Sequence, residues 1–360
     1  MGLVKGGIAI YGMTMKITLE DIAKKAGVST ATVSKCLNNR PRISKKTKQN
    51  VLAIAKELGY GIPKEALVPG IKTAFIIHKK NIAVNSDPFY SLVMSAMQES
   101  LEAQKGQLIL LTLSPREENI SYLQTRLEQL TIEAVVICGQ DFSPDFIIEL
   151  ANSIQQPIIL VDNYLPKINC YSVVNDNFQG AYMMTQYLLQ LNHQRIGFIS
   201  GPLRNISFLE RLQGFHSALI SASIKPEPDL EMIFNSDNWL NPKDPWGYEA
   251  TLSLISSNNP PTAIFAANDL LAAECIQALT SKNLKVPKDI SVVGFDDISI
   301  ASLTAPPLTT IKVGKRTLGK LAAALLLCHN LPQGNYKVVV PPQLIIRNSA
   351  MTIIPDTKSP

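Results

Sequence analysis

The chain has 360 residues, of which 46% are hydrophobic and 18% charged. No apolar run approaches the roughly 18 residues of a membrane span. We therefore expect a soluble globular protein of two or three domains with no membrane association. Residues 1–70 contain twelve Lys and Arg against four Asp and Glu, a balance of +8, whereas the rest of the chain has a balance of −3. A small basic segment on a mildly acidic body indicates that only the first part contacts a polyanion.

The cysteines and histidines exclude two further kinds of site. The five cysteines are odd in number, widely spaced and mostly in apolar stretches, which indicates buried thiols in a reducing cytoplasm and not a disulfide framework. The four histidines lack the spacing of metal ligands. We therefore expect a cytoplasmic protein without a metal or other cofactor.

Residues 1–15, MGLVKGGIAIYGMTM, contain one lysine, a short apolar patch and no convincing cleavage site. We expect them to form a disordered leader, extended upstream of the natural start, and not a secretory signal. Their glycines are not followed by the Lys-Ser/Thr that ends a phosphate-binding loop.

Residues 16–60 are predicted to form a three-helix domain. Thr18 can cap a first helix, Gly27 ends it, and Ser29 begins a second helix after a turn of about three residues. This spacing is the signature of a helix-turn-helix. A third helix begins at Ser44. The first and third helices each have one apolar stripe, formed by Leu19, Ile22, Ala23 and Ala26 in the first and by Val51, Ala55 and Leu58 in the third.

The second helix, within VSTATVSKCLNN, is rich in Ser, Thr and β-branched residues, which lower helix propensity. If Val28, Val33 and Leu37 face the other helices, the opposite face presents only small side chains and one lysine, namely Thr30, Ala31, Ser34 and Lys35. Small side chains let a helix approach base edges in the major groove, where hydroxyls, methyls and a lysine all have partners. Phosphates would be held by Arg42, Ser44, Lys45, Lys46, Thr47 and Lys48. The alternative is an ordinary solvated basic surface.

The stretches ITLEDIAKKAGVSTATVSKCLNN and ISKKTKQNVLAIAKELGY resemble the DNA-binding domain of the lactose- and purine-repressor (LacI/GalR) family of transcription regulators. The resemblance implies that Thr30 and Ala31 read bases, and that Lys35 stands where the family usually has arginine. Lysine is a flexible point charge, so base preference there is expected to be relaxed. Including the helix-capping and phosphate positions, the candidate DNA-contacting residues are Thr18, Ser29, Thr30, Ala31, Thr32, Ser34, Lys35, Asn38, Ser44 and Thr47.

Residues 61–71, GIPKEALVPGI, form the predicted linker. The resemblance implies a hinge helix that begins at Pro63 and inserts a leucine into the minor groove of the operator. The position of that leucine, counted from Pro63, is Gly70, and Pro69 would stop a helix from reaching it. Our hypothesis is a short or absent hinge helix, with Leu67 as a substitute for the missing leucine.

Residues 72–354 alternate short apolar runs with amphipathic stretches, which predicts an α/β core of doubly wound parallel sheets. This length is too great for one sheet, so two lobes are expected. The resemblance, which covers residues 16–350, implies a periplasmic-binding-protein-like core with three crossings between the lobes. The predicted division places residues 72–173 and 303–332 in the first lobe and residues 174–302 and 333–354 in the second.

Ligands of open α/β sheets bind beyond the carboxyl ends of the strands, so polar residues there are candidates for a cleft. Asp162 follows PIILV, Asn268 and Asp269 follow AIFAA, and Asp296 and Asp297 follow SVVGF. The resemblance implies that an effector is held by Phe89, Tyr90, Asp162, Arg211, Trp239, Asn268 and Asp296. Trp246 is a rival for the aromatic position, because the segment around Trp239 is about three residues longer than in relatives.

Structural roles are open alternatives for several of these residues. Asp269 and Asp297 could cap the helices that follow them, and Arg211 could belong to a surface ion pair. Phe89 and Tyr90 could be part of the core at the rim of the cleft.

The combined prediction is a non-enzymatic, homodimeric transcription regulator, most simply a repressor. It binds double-stranded operator DNA under the control of a small-molecule effector, with a sugar preferred and a purine or other small metabolite as the alternative. The tail after Arg347 has no leucine heptads, which favours a dimer over a dimer of dimers. The alternatives are a carbohydrate-active enzyme using Asp162, Asp296 and Asp297, and a secreted or transport-linked sugar-binding protein. A body that binds a partner protein or a phosphometabolite is a further alternative.

Overall fold

The computed structural model describes residues 19–37, 44–57, 70–79, 89–114, 117–235, 245–328 and 332–353. The chain divides into a small unit, Met1–Leu67 with Cys328–Asn330, and a larger unit, Val68–Leu327 with Leu331–Pro360. No helix in the described ranges is both long enough and apolar enough to cross a bilayer.

The small unit contains the three predicted helices, α1 (Leu19–Ala26), α2 (Thr30–Leu37) and α3 (Lys45–Glu57). Gly27 has a φ of +65°, the left-handed conformation that lets the chain turn sharply from α1 into α2. The helices enclose a small apolar core of Ile22, Ala23, Val33, Cys36 and Val51, with Ala26, Val28 and Ile54 packed against it. The predicted inward positions Ile22, Ala23, Ala26, Val28, Val33 and Val51 are confirmed, whereas Cys36 and Ile54 were not predicted. The side chains of Leu19, Leu37, Ala55 and Leu58, also predicted to face inward, lie outside the described ones.

The larger unit alternates strands and helices along most of its length. Its elements are β1 (Lys72–His78), α4 (Phe89–Glu102), β2 (Gln107–Leu113), α5 (Ile120–Gln129), β3 (Ala134–Cys138), α6 (Pro144–Ser153), β4 (Ile158–Val161), β5 (Tyr171–Asn175), α7 (Asn177–Gln190), β6 (Ile196–Ser200), α8 (Ile206–Ser221), β7 (Glu231–Ile233), α9 (Trp246–Ile255), β8 (Ala263–Ala266), α10 (Asp269–Ser281), β9 (Ser291–Val293), α11 (Ser299–Leu303), β10 (Thr310–Lys312), α12 (Lys315–Leu326), β11 (Tyr336–Val340) and β12 (Gln343–Ile345).

Two parallel sheets form the cores of two lobes. The first has the strand order β11-β5-β4-β3-β1-β2, and the second has the order β7-β6-β8-β9. Every residue of β3, β4, β6 and β8 is buried, as expected for sheets covered by helices on both faces. The predicted doubly wound α/β architecture with two lobes is confirmed.

The assignment of the later strands differs from the predicted division. β11 joins the edge of the first sheet beside β5, although residues 333–354 were assigned to the second lobe. β10 lies beside the second sheet through bridges from Val293 to Thr309 and from Asp296 to Lys312, although residues 303–332 were assigned to the first lobe. These strands have three to five residues, and nothing local in so short a run specifies its distant partner.

The chain therefore passes between the lobes after β5, between β10 and α12, and between β11 and β12. Two of these crossings are tied together, because the side-chain oxygen of Asn175 accepts a hydrogen bond of 3.2 Å from the Gly314 amide. After the second crossing, α12 packs closely on α4. A Cβ at Gly319 would lie 2.1 Å from the carbonyl oxygen of Val93. The crossings thus form a connected hinge at one side of the two sheets.

Candidate functional site

The predicted carboxylates lie where strands of both lobes end. Asp162 follows β4 of the first lobe, and Asp296 and Asp297 follow β9 of the second by three and four residues. All three have positive φ angles, of 54°, 101° and 51° respectively. Aspartate adopts this conformation more readily than most other residues, but at an energetic cost, and such residues recur at functional sites.

Arg211, in the second turn of α8, is the centre of the second lobe's part of the site. It is only 5% exposed, so the surface ion pair considered from the sequence is wrong. Its guanidinium donates to both carboxylate oxygens of Asp296, at 2.8 and 3.4 Å, and to the carbonyl oxygen of Ala267 at 2.5 Å. The carbon at its centre lies 3.8 Å from the ring centroid of Phe295. The ion pair is thus buried, hydrogen-bonded and stacked on an aromatic ring.

Asn177 and Phe295, both missed by the sequence analysis, hold Arg211 in place. Asn177 is the first residue of α7, and its side-chain oxygen accepts a hydrogen bond of 3.0 Å from Nε of Arg211. It follows β5 by two residues, so the rule that selected Asp162 also applied to it. Phe295 is fully buried and precedes Asp296 directly. Only the fold shows that either residue meets Arg211.

Tyr90 and Asp162 form the first lobe's part of the site. The Tyr90 hydroxyl donates a 2.9 Å hydrogen bond to the Asp162 carboxylate. Burial raises the pKa of Asp162 to about 7, although the Tyr90 hydrogen bond and the charge of Arg211 act in the opposite direction. The negative charge of Asp296 raises this pKa further. The two sets of residues are linked through Lys315, which donates to the Asp296 carbonyl and lies 5.9 Å from the ring centroid of Phe89, the neighbour of Tyr90.

Neither Asp269 nor Asp297 caps the helix that follows it: α10 is capped by Asn268, and α11 begins after Ile298 without a side-chain cap. The Asn268 side chain accepts a 2.9 Å hydrogen bond from the Leu271 amide and caps α10. Asp269 instead accepts from the Thr310 hydroxyl at 2.5 Å and from the Ile298 amide at 2.8 Å. Asp297 pairs with Arg347 at 2.6 Å. The capping alternatives for the two aspartates were therefore wrong.

Lys315 crosses from the first lobe to the turn that carries the aspartates. Its ammonium donates to the backbone carbonyls of Asp296 and Asp297. It is 7% exposed and lies 5.9 Å from the ring centroid of Phe89. Phe89 is buried and packs edge-on against Tyr90, with the two ring centroids 4.9 Å apart.

Trp239 lies outside the described residues, whereas its rival Trp246 has a clear structural role. The Trp246 indole nitrogen donates to the carbonyl oxygen of Ser200, at the end of β6, over 3.0 Å. Its ring lies 5.0 Å from that of Phe234, centroid to centroid.

In the small unit, two predicted DNA-contacting hydroxyls begin helices. Ser29 accepts a hydrogen bond of 3.1 Å from the Thr32 amide before α2, and Ser44 accepts one of 3.0 Å from the Thr47 amide before α3. Thr30 is exposed. Thr18, Asn38 and Leu67 lie outside the described residues, and side-chain positions are not described for Ala31, Ser34 and Lys35.

Residues 18–62 match the family described as bacterial regulatory proteins, lacI family, and residues 185–350 match the periplasmic binding protein-like domain. The HTH-type transcriptional repressor PurR of Haemophilus influenzae (strain PittEE) is 30% identical over 347 residues, which is 94% of this chain and 99% of the relative.

Two solved structures show the same architecture at 26% identity, each covering 93% of this chain. The transcriptional regulator CelR–cellobiose complex has a TM-score of 0.68 and is covered over 100% of its length. The lac repressor dimer bound to operator and the anti-inducer ONPF has a TM-score of 0.65 and is covered over 99%.

Proposed function

Because the chain belongs to the lacI family of DNA-binding transcriptional repressors, we propose that its operator binding is controlled by an uncharged, polyhydroxylated effector, most simply a sugar, held between the two lobes. The observation that carries this proposal is a pair of polar groups at the strand ends of each lobe, the buried Arg211–Asp296 pair in the second and the Tyr90–Asp162 pair in the first, with Lys315 of the first lobe donating to the Asp296 carbonyl.

The chemistry of these groups suits a sugar. Carboxylates accept hydrogen bonds, a guanidinium and a phenol donate them, and sugar hydroxyls do both. The charge of Arg211 is already neutralised by Asp296, so this pair offers no uncompensated cation to a phosphate or carboxylate. The similarity to a regulator bound to cellobiose supports the same class of effector. Phe89, Tyr90, Asp162, Arg211, Asn268 and Asp296 are the proposed contacts in the described ranges, with Trp239 a further candidate outside them.

The DNA-binding surface is proposed from α2 and the start of α3. Thr30, Ala31, Ser34 and Lys35 would face base edges, and Ser44 and Thr47 would meet phosphates at a helix N-terminus. A twofold dimer would place two such surfaces one helical turn apart on a pseudo-palindromic operator. The roles of Thr18, Asn38 and Leu67 remain predictions.

We propose that the cleft binds its ligand without chemical conversion. Of the three carboxylates considered for acid–base catalysis, two are occupied in ion pairs, Asp296 with Arg211 and Asp297 with Arg347, and Asp162 accepts a hydrogen bond from Tyr90. Effector binding would instead change the relative position of the lobes and thereby the spacing of the two DNA-binding surfaces. This coupling is reciprocal, so operator DNA would change effector affinity by the same factor.

A thermal-shift screen of neutral sugars, sugar phosphates and nucleobases tests the proposal. A ligand at 100 times its dissociation constant stabilises the protein by about 2.7 kcal/mol. Arg211→Ala should remove the shift produced by a neutral sugar, and Asp162→Asn should reduce it. Arg316→Ala is the matched control, because Arg316 pairs with Glu99 on an exposed surface. A sugar phosphate or nucleobase that binds more tightly than every neutral sugar contradicts the proposed effector class.

A further inference from the structure

Gln140 joins the two lobes, although it was not selected from the sequence and takes no part in the Arg211–Asp296 ion pair. It lies two residues beyond β3 of the first lobe, and its side chain reaches the start of α8 in the second. Its oxygen accepts a hydrogen bond of 2.5 Å from the Ile206 amide, and its nitrogen donates one of 2.7 Å to the Ser207 hydroxyl. Both polar ends of the side chain are therefore used across the cleft.

This contact completes the cap of α8. The first amides of a helix have no acceptor within the helix. Asn205 accepts from the amides of Ser207 and Phe208, at 3.0 and 3.3 Å, and Gln140 accepts from the amide of Ile206. Because a backbone amide can only donate, the Ile206 contact fixes which end of the Gln140 amide is oxygen.

A continuous set of hydrogen bonds leads from this contact to Arg211. The Ser207 hydroxyl, which accepts from Gln140, also accepts from the Asn177 side-chain nitrogen at 3.2 Å. Asn177 in turn accepts from Nε of Arg211 at 3.0 Å. Ser207 and Asn177 are both buried. Gln140 of the first lobe is thus linked to the guanidinium of Arg211 by hydrogen bonds through Ser207 and Asn177 of the second lobe.

The location of Gln140 makes the contact sensitive to the lobe arrangement. The crossings lie near β5, β11 and the start of α12, whereas β3 is two strands away from β5 in the first sheet. Strands are about 4.8 Å apart, so Gln140 is about 10 Å further from the hinge than β5 is. Lys315 and Lys337, which also contact the second lobe, lie close to the crossings. A motion that opens the cleft would therefore break the Gln140 hydrogen bonds before the contacts of Lys315 and Lys337.

We propose that Gln140 is a positioning residue of the cleft, which caps α8 from the opposite lobe, holds the lobes together before the effector binds and aligns Arg211. The inference rests on the proposed function only in treating Arg211 as an effector contact. Gln140→Met retains length and apolar volume but forms neither hydrogen bond. Gln140→Glu retains length and an acceptor for the Ile206 amide, and the Ser207 hydroxyl can donate to its other oxygen.

The test is residue-resolved hydrogen exchange of the effector-free full chain, combined with its radius of gyration in solution. In Gln140→Met, the Ile206 amide should exchange about fivefold faster and the radius of gyration should increase, because one cross-lobe hydrogen bond of ordinary strength is lost at that amide. The Ser207 and Phe208 amides, capped by Asn205, should keep their rates. Gln140→Glu should restore both measurements to wild-type values.

Three results would overturn the inference. They are rapid exchange of Ile206 in the wild type, equal protection in the Met variant, and an unchanged radius of gyration in that variant. Since no ligand is used, these failures are distinct from failure of the proposed function, which is read from the sugar screen.

Discussion

Neutralising Asp296 provides a direct test of the buried ion pair at the centre of the cleft. In Asp296→Asn, the guanidinium of Arg211 keeps its contacts with Asn177, the Ala267 carbonyl and the Phe295 ring but loses its counter-ion. The side chains of Arg211 and Asp296 are 6% and 7% exposed, so water cannot replace the missing charge. An unpaired buried cation is the main cost of this substitution.

The expected loss of stability follows from this burial. Breaking a buried pair costs about 3–5 kcal/mol, and the three remaining contacts of Arg211 place the expected value near 3 kcal/mol, the lower end of that range. For a large domain, 1 kcal/mol lowers the melting temperature by about 2 °C, which gives a decrease of about 6 °C. Glu99→Gln is the control, because Glu99 and Arg316 are 58% and 46% exposed and such pairs contribute at most about 1 kcal/mol.

Urea denaturation followed by tryptophan fluorescence is the appropriate assay. Both tryptophans, at positions 239 and 246, belong to the larger unit, so the signal does not report the DNA-binding helices. The double variant Arg211→Met with Asp296→Asn should recover most of the lost stability, because both charges are then removed together and asparagine tolerates the positive φ at position 296. If Asp296→Asn is no more destabilising than Glu99→Gln, the pair is accessible to solvent and the account of the cleft is wrong.

Three further predictions use other parts of the chain. A neutral sugar that donates to the ionised carboxylate of Asp162 should bind more tightly as pH rises to about 7, with an affinity gain of up to tenfold per pH unit, and its affinity should be constant above pH 7. Asp162→Asn should flatten this pH profile of affinity, measured by titration calorimetry. Burial lowers the pKa of His193, whose side chain donates to the Met351 carbonyl, so protonation of this histidine favours the unfolded state. The free energy of unfolding should therefore fall as pH drops below about 6.5. His193→Gln should weaken this pH dependence in melting curves. Lys35→Arg should sharpen selection for guanine by about 1 kcal/mol or more in a binding-site selection experiment, and unchanged base preference would argue against a base-reading role for this position.

The small unit could be predicted nearly in full from the sequence, because its signals are local. Ser29 and Ser44 begin their helices as the capping pattern indicates, and Gly27 adopts the left-handed turn between α1 and α2. The contribution of Cys36 to the core was not visible, since a single cysteine on a short helix fits either face.

The cleft could be predicted only as a set of strand ends. The rule that polar residues follow parallel strands identified Asp162 and Asp296, and applied equally to Gln140 and Asn177, which were not selected. Nothing in the local pattern shows that Arg211 meets a carboxylate 85 residues later, or that Asn268 caps its helix in preference to the adjacent Asp269. Such pairings depend on tertiary placement.

The positive-φ backbones and buried charges of the cleft disfavour the folded state, as is common for residues kept for ligand binding. Asp162 and Asp296 both have left-handed backbones, each costing about 1–3 kcal/mol, and burial disfavours the ionised form of Asp162. A buried pair such as Arg211–Asp296 could often be replaced by apolar residues without loss of stability. These groups are therefore poorly explained as stabilising elements of the fold. A ligand whose hydroxyls donate to Asp162 and accept from Arg211 would offset part of the cost only while both lobes contact it, which links occupancy of the cleft to its closure.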